Sequence, residues 1–489
     1  MWHRLNNFIG SKKHAFIFGN ILQLLLSLPI ITNSLLTPSN YPTMSKGIIQ
    51  HIMFVMALLL LSAPAWSAPR DKQAMLQSAR QALMTMTSSG HRFNASSPLI
   101  ESKTTSAYTL YQTRQGEFAM IAADDRLPAV LAVGEARTSG TIQTNPGFEW
   151  YCASIEEVSR ILSNRDITFT TTLPDPTKYP AKVDALITSQ WGQDAPYSYW
   201  CPTGYGEICD DYTPDVVHCC VGCVATALAQ LVRYYRFPDH AAGTANFLIG
   251  NQEASASFDA TFDWDNMLDT YPEGQYTEAQ GRAVALLSYV CGLVSWMNYA
   301  TNESGSSNLA AVAGAQNFFG YSMDATTVVR SDYSEPDWMD MVYNELSHQR
   351  PLYYQGVHLS FEPSMGLIAA GHSFLIDGYN EQGLVHVNWG WYGNYDGYFD
   401  IALLDVRGLQ FNAYQDMVIN FVPDPSLVVL TGDVNDDGII SIDDVTHLIG
   451  YLLNNDATQI NIANADVDSN GVINISDVTA LIEKLLYQH

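Results

Sequence analysis

A cysteine stands at the start of a predicted helix near the middle of this 489-residue chain. After Cys223 the apolar residues recur three and four positions apart, as on one face of a buried amphipathic helix. These residues are Val224, Ala227, Leu228, Leu231, Val232 and Tyr235. The first turn of a helix offers unpaired N–H groups and a partial positive charge, which lower the pKa of a thiol. Cys223 is therefore a candidate nucleophile, although a small buried core cysteine would fit the same pattern.

A histidine on a predicted β-hairpin supplies a candidate base. We predict one strand at Phe374–Asp377 and, after a polar turn, the returning strand at Leu384–Trp389. Cross-strand side chains in such a hairpin touch, so His372 is expected beside Trp389 or its near neighbours. Asn388 would fix the imidazole tautomer through a hydrogen bond, and Trp389 and Trp391 would keep water away from that bond. A lone histidine at a strand edge is more often structural, and it is the joint placement that favours catalysis.

Attack by a thiolate on a carbonyl creates an oxyanion, which needs hydrogen-bond donors. Gln193 lies upstream of the helix and can donate its side-chain amide. The backbone N–H of Cys223 at the helix start would be the second donor. A solvated turn glutamine is the alternative interpretation of Gln193, and its position in the sequence does not exclude it.

Four motifs in order resemble the streptopain-like cysteine peptidases, a papain-fold family of secreted bacterial zymogens. They are GCVATALAQ at 222–230, YYQG at 353–356, GHSFLIDG at 371–378 and HVNWGW at 386–391. The resemblance covers about residues 70 to 422. It implies an α+β fold, in which a papain-like peptidase follows an α+β prodomain that keeps the enzyme inactive.

The resemblance also implies roles for individual residues. Cys223 would be the nucleophile, His372 the general base and acid, and Gln193 the oxyanion-hole side chain. Trp389 would shield the catalytic pair. The family is described as working with a Cys–His pair, so Asn388 rests on the hairpin argument. Proteins and peptides are the expected substrates of a broad endopeptidase, with no cofactor for catalysis.

The carboxyl-terminal region contains two copies of a calcium-loop pattern. Oxygen side chains occupy positions one, three, five and nine, a backbone carbonyl serves position seven, and a carboxylate stands at position twelve. The first copy uses Asp433, Asn435, Asp437, Ile439, Ser441 and Asp444. The second copy uses Asp466, Asp468, Asn470, Val472, Asn474 and Asp477. Each loop runs into an apolar helix, and the pattern predicts two calcium ions.

This duplicated loop and helix resembles a type I dockerin, a small all-α calcium-dependent domain that commonly docks onto a cohesin. The recognition positions implied by the family are Ile442 with Asp443, and Ile475 with Ser476, and the two pairs differ from one another. A solvated acidic tail is the alternative interpretation. We therefore expect a cohesin-type partner without assigning a particular one.

The chain divides into six expected segments. Lys46, the apolar run Ile52–Leu61 and the small residues up to Ala68 have the form of a secretory signal, so a secreted or cell-surface protein is expected. The apolar run Ile21–Leu36 before it indicates a misassigned start, with a transmembrane anchor as the alternative. The segments are 1–43 upstream extension, 44–68 signal peptide, 69–178 propeptide, 179–422 peptidase domain, 423–430 linker and 431–489 dockerin domain.

Seven cysteines occur, and an odd number leaves at least one thiol unpaired, which suits Cys223. Cys201 and Cys209 would close a small disulfide loop. Residues 218–223 contain zinc-ligand side chains, but their spacing is unlike that of zinc sites. The adjacent Cys219 and Cys220 have no predicted role.

Composition is that of a folded protein, with 47% hydrophobic and 15% charged residues. The net charge of −27 argues against nucleic-acid binding. Two functions remain: a secreted cysteine endopeptidase, or a calcium-dependent adhesin or scaffold subunit whose peptidase fold only binds. The presence of Cys223, His372 and Gln193 together favours the enzyme.

Overall fold

A computed structural model describes residues 69–86, 97–136, 145–162, 167–205, 216–362, 366–404, 413–427, 431–435, 439–468 and 470–487. The expected signal peptide and upstream extension lie outside these ranges, as does Asp437 of the first calcium loop. Across the described ranges, no helix has both the length and the apolar character that a bilayer crossing needs.

The described residues form helices and strands in a mixed order. The α-helices are α1 (Lys72–Thr85), α2 (Pro146–Leu162), α3 (Cys223–Tyr235), α4 (Glu278–Val294), α5 (Asn308–Gly314), α6 (Glu335–Ser347), α7 (Ile442–Asn454), α8 (Ile462–Ala465) and α9 (Ile475–Tyr487). The strands are β1 (Ile100–Thr104), β2 (Tyr108–Gln112), β3 (Glu117–Ala122), β4 (Val130–Glu135), β5 (Thr203–Tyr205), β6 (Val216–His218), β7 (His240–Ile249), β8 (Gln252–Thr261), β9 (Asn298–Tyr299), β10 (Thr326–Val329), β11 (Leu352–Glu362), β12 (Gly366–Tyr379), β13 (Val385–Asn388), β14 (Asp396–Phe399) and β15 (Ala413–Ile419). This content agrees with the α+β prediction.

A ten-stranded sheet runs through residues 69–178, called the prosegment below, and through the expected peptidase domain, in the order β1-β2-β3-β4-β14-β13-β12-β11-β15-β10. The two regions meet where β4 pairs antiparallel with β14, with Gly134 opposite Gly397. A Cβ added to Gly134 would lie 2.3 Å from the carbonyl oxygen of Asp396, so glycine is required for this close approach. The prosegment strands are therefore a continuation of the peptidase sheet.

Helices cover both faces of the central strands. Helix α3 is buried along Val224–Val232 and packs with α4 against one face, where Leu375 and Val418 lie in the same core. Helices α2 and α6 cover the opposite face, where Phe374 and Trp389 lie. Because side chains alternate along a strand, β12 contributes His372 and Phe374 to one face and Ser373 and Leu375 to the other.

The hairpin predicted from sequence is present. Strand β12 pairs antiparallel with β13, with Leu375 opposite Asn388. The helix predicted after Gly222 is α3, which begins at Cys223. The two predicted calcium loops precede α7 and α9, whose buried residues Val445, Leu448, Val478 and Leu481 share a small core.

Candidate active site

The thiol of Cys223 lies at the amino-terminal end of α3. Its helix cap is Gly222, which has φ of 86° and faces the carbonyl oxygen of Ser304, so that an added Cβ would lie 2.7 Å from that oxygen. Burial raises the pKa of Cys223, and the backbone N–H groups of Ser373 and Val224 only partly oppose this. The lowered pKa expected from the helix position is therefore not found, because loss of hydration outweighs the helix amides.

The imidazole of His372 is buried and lies between aromatic rings. Its Nε2 donates to the carbonyl oxygen of Trp389 at 2.7 Å. Its ring centroid is 6.5 Å from that of Trp389 and 6.4 Å from that of Trp391, so the expected meeting of imidazole and indole is observed. Burial lowers the pKa of His372 to about 4, against a smaller raising effect of the Trp389 carbonyl.

The expected thiolate–imidazolium pair is not formed in this structure. The only described hydrogen-bond partner of the His372 ring is Trp389, and the Cys223 sulfur has the Ser373 amide of the same strand as a neighbour. Successive residues on a strand face opposite sides, so the histidine ring points away from the side on which α3 lies. Joining the two groups requires the His372 side chain to turn.

The amide of Asn388 is fully occupied elsewhere, which corrects the expectation that it orients His372. Its Oδ1 accepts from Gln230 Nε2 at 3.1 Å and from the Gly390 N–H at 3.0 Å. Its Nδ2 donates to the carbonyl oxygen of Ser189 at 2.7 Å. Asn388 therefore joins the strand end at β13 to the segment before Gln193.

Gln193 is buried close to the start of α3. Its carbonyl oxygen accepts from the Val221 N–H at 3.0 Å, two residues before Cys223. The adjacent Asp194 N–H donates to the Tyr392 hydroxyl at 2.9 Å. The structure thus places Gln193 near the nucleophile, and its oxyanion-hole role remains a prediction.

Gln230 is a residue of the site to which sequence reasoning gave no role. Its Oε1 accepts from the Ser189 hydroxyl and from the Trp191 N–H, both at 3.1 Å. With its bond to Asn388, this fully buried amide joins α3, the Gln193 segment and the end of β13. A glutamine seven residues beyond Cys223, on the apolar side of the helix, was the available signal.

Helix α2 of the prosegment covers the histidine. A Cβ added to Gly147 would lie 2.6 Å from His372 Cδ2 and 2.4 Å from Trp389 Cε3, so the helix backbone touches both rings. One residue on, Phe148 stacks on Tyr395 with ring centroids 4.0 Å apart. The face of the sheet that holds the imidazole is therefore closed by the prosegment.

The two calcium loops have matching hydrogen bonds. In the second loop, Asp477 accepts from the N–H groups of Asp468 at 3.2 Å and Asn474 at 2.7 Å. In the first loop, Asp444 accepts from the corresponding N–H groups of Asn435 at 3.0 Å and Ser441 at 2.7 Å. Both position-twelve carboxylates are fully buried.

The donor set of these loops fits a hard divalent cation. Ligand oxygens of Asp466, Asp468 and Asp477 lie within 4.8 Å of one another. Converging carboxylates repel one another unless a cation lies between them, and burial of the Asp477 carboxylate strengthens this repulsion. In the first loop, both Asp433 and Asp444 are buried.

Fold and site together define a thiol protease of the papain type with a carboxyl-terminal calcium-loop domain. A model of the peptidase C10 family matches residues 191–399, and a model of the dockerin type I domain matches residues 431–486. A solved fragment of prointerpain A from Prevotella intermedia is 37% identical, with a TM-score of 0.58. The match covers 68% of this chain and all of that fragment.

Two curated proteins are similar as well. Streptopain of Streptococcus pyogenes is 28% identical over 334 residues, which covers 64% of this chain and 80% of streptopain. The thiol protease/hemagglutinin PrtT of Porphyromonas gingivalis is 29% identical over 229 residues, covering 42% of this chain and 25% of PrtT. The chain belongs to the peptidase C10 family, the streptopain-like cysteine peptidases, and ends in a type I dockerin domain. These findings confirm the two resemblances inferred from sequence.

Proposed function

We propose that this chain is the exported zymogen of a cysteine endopeptidase that cuts proteins through Cys223 and His372. The observation that carries the proposal is the position of Cys223 at the start of α3, beside the strand that bears His372. In the active form, His372 takes the Cys223 proton and the thiolate attacks a peptide carbonyl. Gln193 and the Cys223 N–H stabilise the oxyanion.

The remaining steps follow from the same two groups. Collapse of the tetrahedral species expels the amine, which takes its proton from His372 and leaves a thioester on Cys223. Water, deprotonated by His372, hydrolyses that thioester and restores the thiol. Trp389, whose ring lies beside the imidazole, keeps water away from it. Each proton moves between His372 and either Cys223, the leaving amine or water, so the chemistry proceeds without a cofactor.

Latency is the role that we assign to residues 69–178. With α2 in place, His372 donates to the Trp389 carbonyl instead of meeting Cys223. Removal of α2 frees the space in which the imidazole turns. The turn at Asp175–Lys178 is exposed, and Lys178 contacts Asp340 only through a surface ion pair at 3.1 Å, so we place the maturation cut after Lys178, with 179–422 as the peptidase domain. An amino terminus of the matured enzyme beyond Gln193 would contradict this position.

Hydrolysis of an internally quenched peptide with blocked ends tests endopeptidase action. We expect cleavage under reducing conditions after maturation, and none by the Cys223→Ala or His372→Ala variant. Cys219→Ala is the matched control, because it removes a neighbouring buried thiol and leaves the nucleophile. Undiminished cleavage by Cys223→Ala would reject the nucleophile assignment, and cleavage only of peptides with free ends would reject the endopeptidase.

For the dockerin domain at 431–489, after the 423–430 linker, we propose two bound calcium ions and a cohesin-type partner. The matched bonds of Asp444 and Asp477 support two equivalent cation sites. Calcium would neutralise the converging carboxylates and hold each loop against its helix. Ile442 and Ile475 are both 68% exposed, so each loop offers an apolar side chain to a partner. Calorimetric titration of calcium into the metal-free full chain tests the stoichiometry, for which we expect two ions.

Export places the enzyme outside the cytoplasm, with its substrates. Two observations support export: the signal-like segment 44–68, and the similarity to two families whose members are typically secreted or surface-associated. Cell fractionation, with residues 44–68 deleted in a matched control, tests it. Retention of the full-length protein in the cytoplasm would contradict export.

A further inference from the structure

A short hairpin precedes the nucleophile and ends on two cysteines. Strands β5 and β6 pair antiparallel, with Thr203 opposite His218. The pairing continues one residue further, because the Cys219 N–H donates to the Pro202 carbonyl oxygen at 2.8 Å. Counting on in this register, the next opposed residues are Cys201 and Cys220.

The backbone bonds show which kind of pair this is. Pro202 and Cys219 form a hydrogen-bonded pair of the ladder. The next pair, Cys201 with Cys220, is therefore of the type whose residues make no backbone hydrogen bonds to each other. In agreement, the Cys220 N–H points outward to the Ala300 carbonyl oxygen at 3.2 Å, and the Cys201 N–H bonds Ser198 O at 2.9 Å. Such pairs have Cα atoms about 4.5 Å apart. That separation lies within the range of about 4.4–6.8 Å that a disulfide spans.

The two thiols lie in the same buried environment. Cys201 is 2% and Cys220 7% exposed. The Cys220 sulfur lies 3.5 Å from the Ala300 carbonyl oxygen, and Cys201 lies within hydrogen-bonding reach of the adjacent Tyr299 hydroxyl. Burial, and then the thiols of Cys220 and Cys219, raise the pKa of Cys201. As folded thiols they are protonated and unreactive, so any pairing has to precede burial.

We propose that Cys201 and Cys220 are joined by a disulfide in the exported protein. The thiolate of Cys220 attacks the disulfide of a thiol–disulfide oxidoreductase, which releases one thiolate of that oxidant and leaves a mixed disulfide. The Cys201 thiolate then attacks the Cys220 sulfur and releases the second oxidant thiol. One S–S bond is made and one is broken, and the oxidant carries away both electrons and, after protonation, both hydrogens.

The bond has a consequence for the active site. Val221 follows Cys220 and donates to the Gln193 carbonyl oxygen, and Gly222 caps the helix that begins at Cys223. A cross-link at Cys220 therefore fixes the segment that sets the nucleophile beside the oxyanion donor. It also removes the thiol three residues before Cys223 as a competing partner, which leaves the nucleophile reduced.

Peptide mapping of the full-length chain tests the proposal, which rests on export into an oxidising compartment. The chain is produced in a bacterial periplasm and separately refolded with a glutathione redox buffer. Free thiols are blocked, the protein is digested without reductant, and the peptides are identified by mass. We expect one cross-linked pair, Cys201 with Cys220, in both samples, and an alkylated Cys223. Cys201 alkylated, or linked to Cys209 or Cys219, in the refolded chain would overturn the proposal.

Variants separate the disulfide from the proposed peptidase. Cys201→Ser and Cys220→Ser are each expected to lower the melting temperature under oxidising conditions, and the double variant no further than either alone. Cys219→Ser, equally buried, is the matched control and keeps the cross-link. Equal melting temperatures of Cys201→Ser with and without reductant are expected, whereas the wild type should lose stability when reduced. Cleavage of the quenched peptide reports on the peptidase independently of the cross-link.

Discussion

The imidazole of His372 has to exchange protons during catalysis, yet in this structure its Nε2–H is committed to the Trp389 carbonyl oxygen. Burial lowers the pKa of His372 to about 4, so the ring is neutral at neutral pH. Burial raises the pKa of Cys223, so the thiol is protonated. Both groups are uncharged, and the latent form therefore lacks the ion pair that makes a thiol nucleophilic.

Alkylation of Cys223 should follow this difference. In the intact chain we expect the iodoacetamide rate to rise only above the ordinary thiol pKa, because only the thiolate reacts. After removal of residues 69–178, the imidazolium should stabilise the thiolate and shift the rise to lower pH, with a rate at pH 7 at least tenfold higher. Mass spectrometry of the peptide containing Cys223 measures the rate at each pH. Identical profiles before and after maturation would contradict the argument.

Loss of the Gln230 side-chain amide should lower both the stability and the activity of the protein. Gln230→Leu keeps the volume but leaves the Trp191 N–H and the Ser189 hydroxyl without their acceptor, and each such loss costs about 1–3 kcal/mol. We expect a lower free energy of unfolding in urea and a reduced kcat after maturation. Ser189→Ala, which removes only one of the hydrogen bonds to the same oxygen, is the graded control. An unfolding free energy equal to that of the wild type would show that the amide network is dispensable.

At this scale the sequence predicted more about positions than about partners. The local patterns around Cys223 and His372 were sufficient to predict α3 and the hairpin, because helix and hairpin periodicity are short-range properties. The partner of Asn388 was missed, because Gln230 lies on another element and no local pattern relates the two. The state of the catalytic pair was missed for the same reason, since α2 that covers it is distant in sequence.

At the scale of elements, α2 is the helix of the prosegment that contacts the catalytic histidine. Its residue Gly147 lies against the rings of His372 and Trp389, where no side chain has room. The carboxyl end of the prosegment is held separately: the Thr171 hydroxyl donates to Asp400 Oδ2 at 2.7 Å, and the Tyr343 hydroxyl donates to the Thr172 carbonyl oxygen at 2.6 Å. Displacing the helix and loosening this connector are therefore distinct changes.

Gly147→Val should weaken latency. The added Cβ would overlap His372, so α2 can no longer seat fully and the imidazole gains room to turn. We expect the uncut chain to hydrolyse the quenched peptide several-fold faster than the uncut wild type. Ala153→Val is the matched control, since it introduces the same β-branched side chain at an exposed position of the same helix. Equal activity of the two variants before cleavage would count against a latching role for α2.

Asp400 should make the prosegment contact sensitive to pH. Its carboxyl is 1% exposed, and its pKa is raised to about 7, mainly by burial and further by the charge of Glu335. The Thr171 hydroxyl and two backbone N–H groups oppose that rise, and the hydroxyls of Tyr151 and Tyr343 also face this region.

A raised pKa in the folded state stabilises the fold below the unfolded pKa of about 4. This stabilisation is lost as the pH rises to about 7, the folded pKa. In the Cys223→Ala background, which prevents self-cleavage, we expect the melting temperature to fall over this range and Asp400→Asn to flatten the fall. Glu381→Gln, at an exposed carboxylate, should leave the profile unchanged. A wild-type slope retained by Asp400→Asn would assign the effect to other groups.

The whole molecule combines two sources of order that depend on different chemistry. The peptidase domain and the prosegment share apolar cores and one sheet. The sequence predicted their α+β fold class, but it did not predict that one continuous sheet joins them. No sequence pattern relates β4 to β14, because their pairing joins a strand that precedes the peptidase domain to one near the end of that domain. The class of the carboxyl-terminal domain was predictable, because each loop carries its expected ligands within twelve consecutive positions, and a dockerin model matches residues 431–486.

Removal of calcium should affect only the carboxyl-terminal domain. Without the ion, the buried carboxylates of Asp444 and Asp477 repel their loop partners, so the domain should lose helix content. We expect chelation to produce an early thermal transition by circular dichroism while the quenched-peptide rate of the matured enzyme stays the same. Asp444→Ala and Asp477→Ala should each lower the calcium stoichiometry from two to one. Loss of both ions in either single variant, or binding of only one ion by the wild type, would contradict two independent sites.

Maturation also changes the outline of the main sheet. While the prosegment is attached, β14 lies between β13 and β4 as an interior strand. Once β4 departs, the outer backbone N–H and C=O groups of Asp396–Phe399 face solvent, and a newly opened margin of this kind invites pairing with another extended chain. Because that strand has only four residues, an added chain can pair with it over a short length. Removal of the prosegment therefore leaves the active enzyme with a short exposed sheet edge that can bind another extended chain.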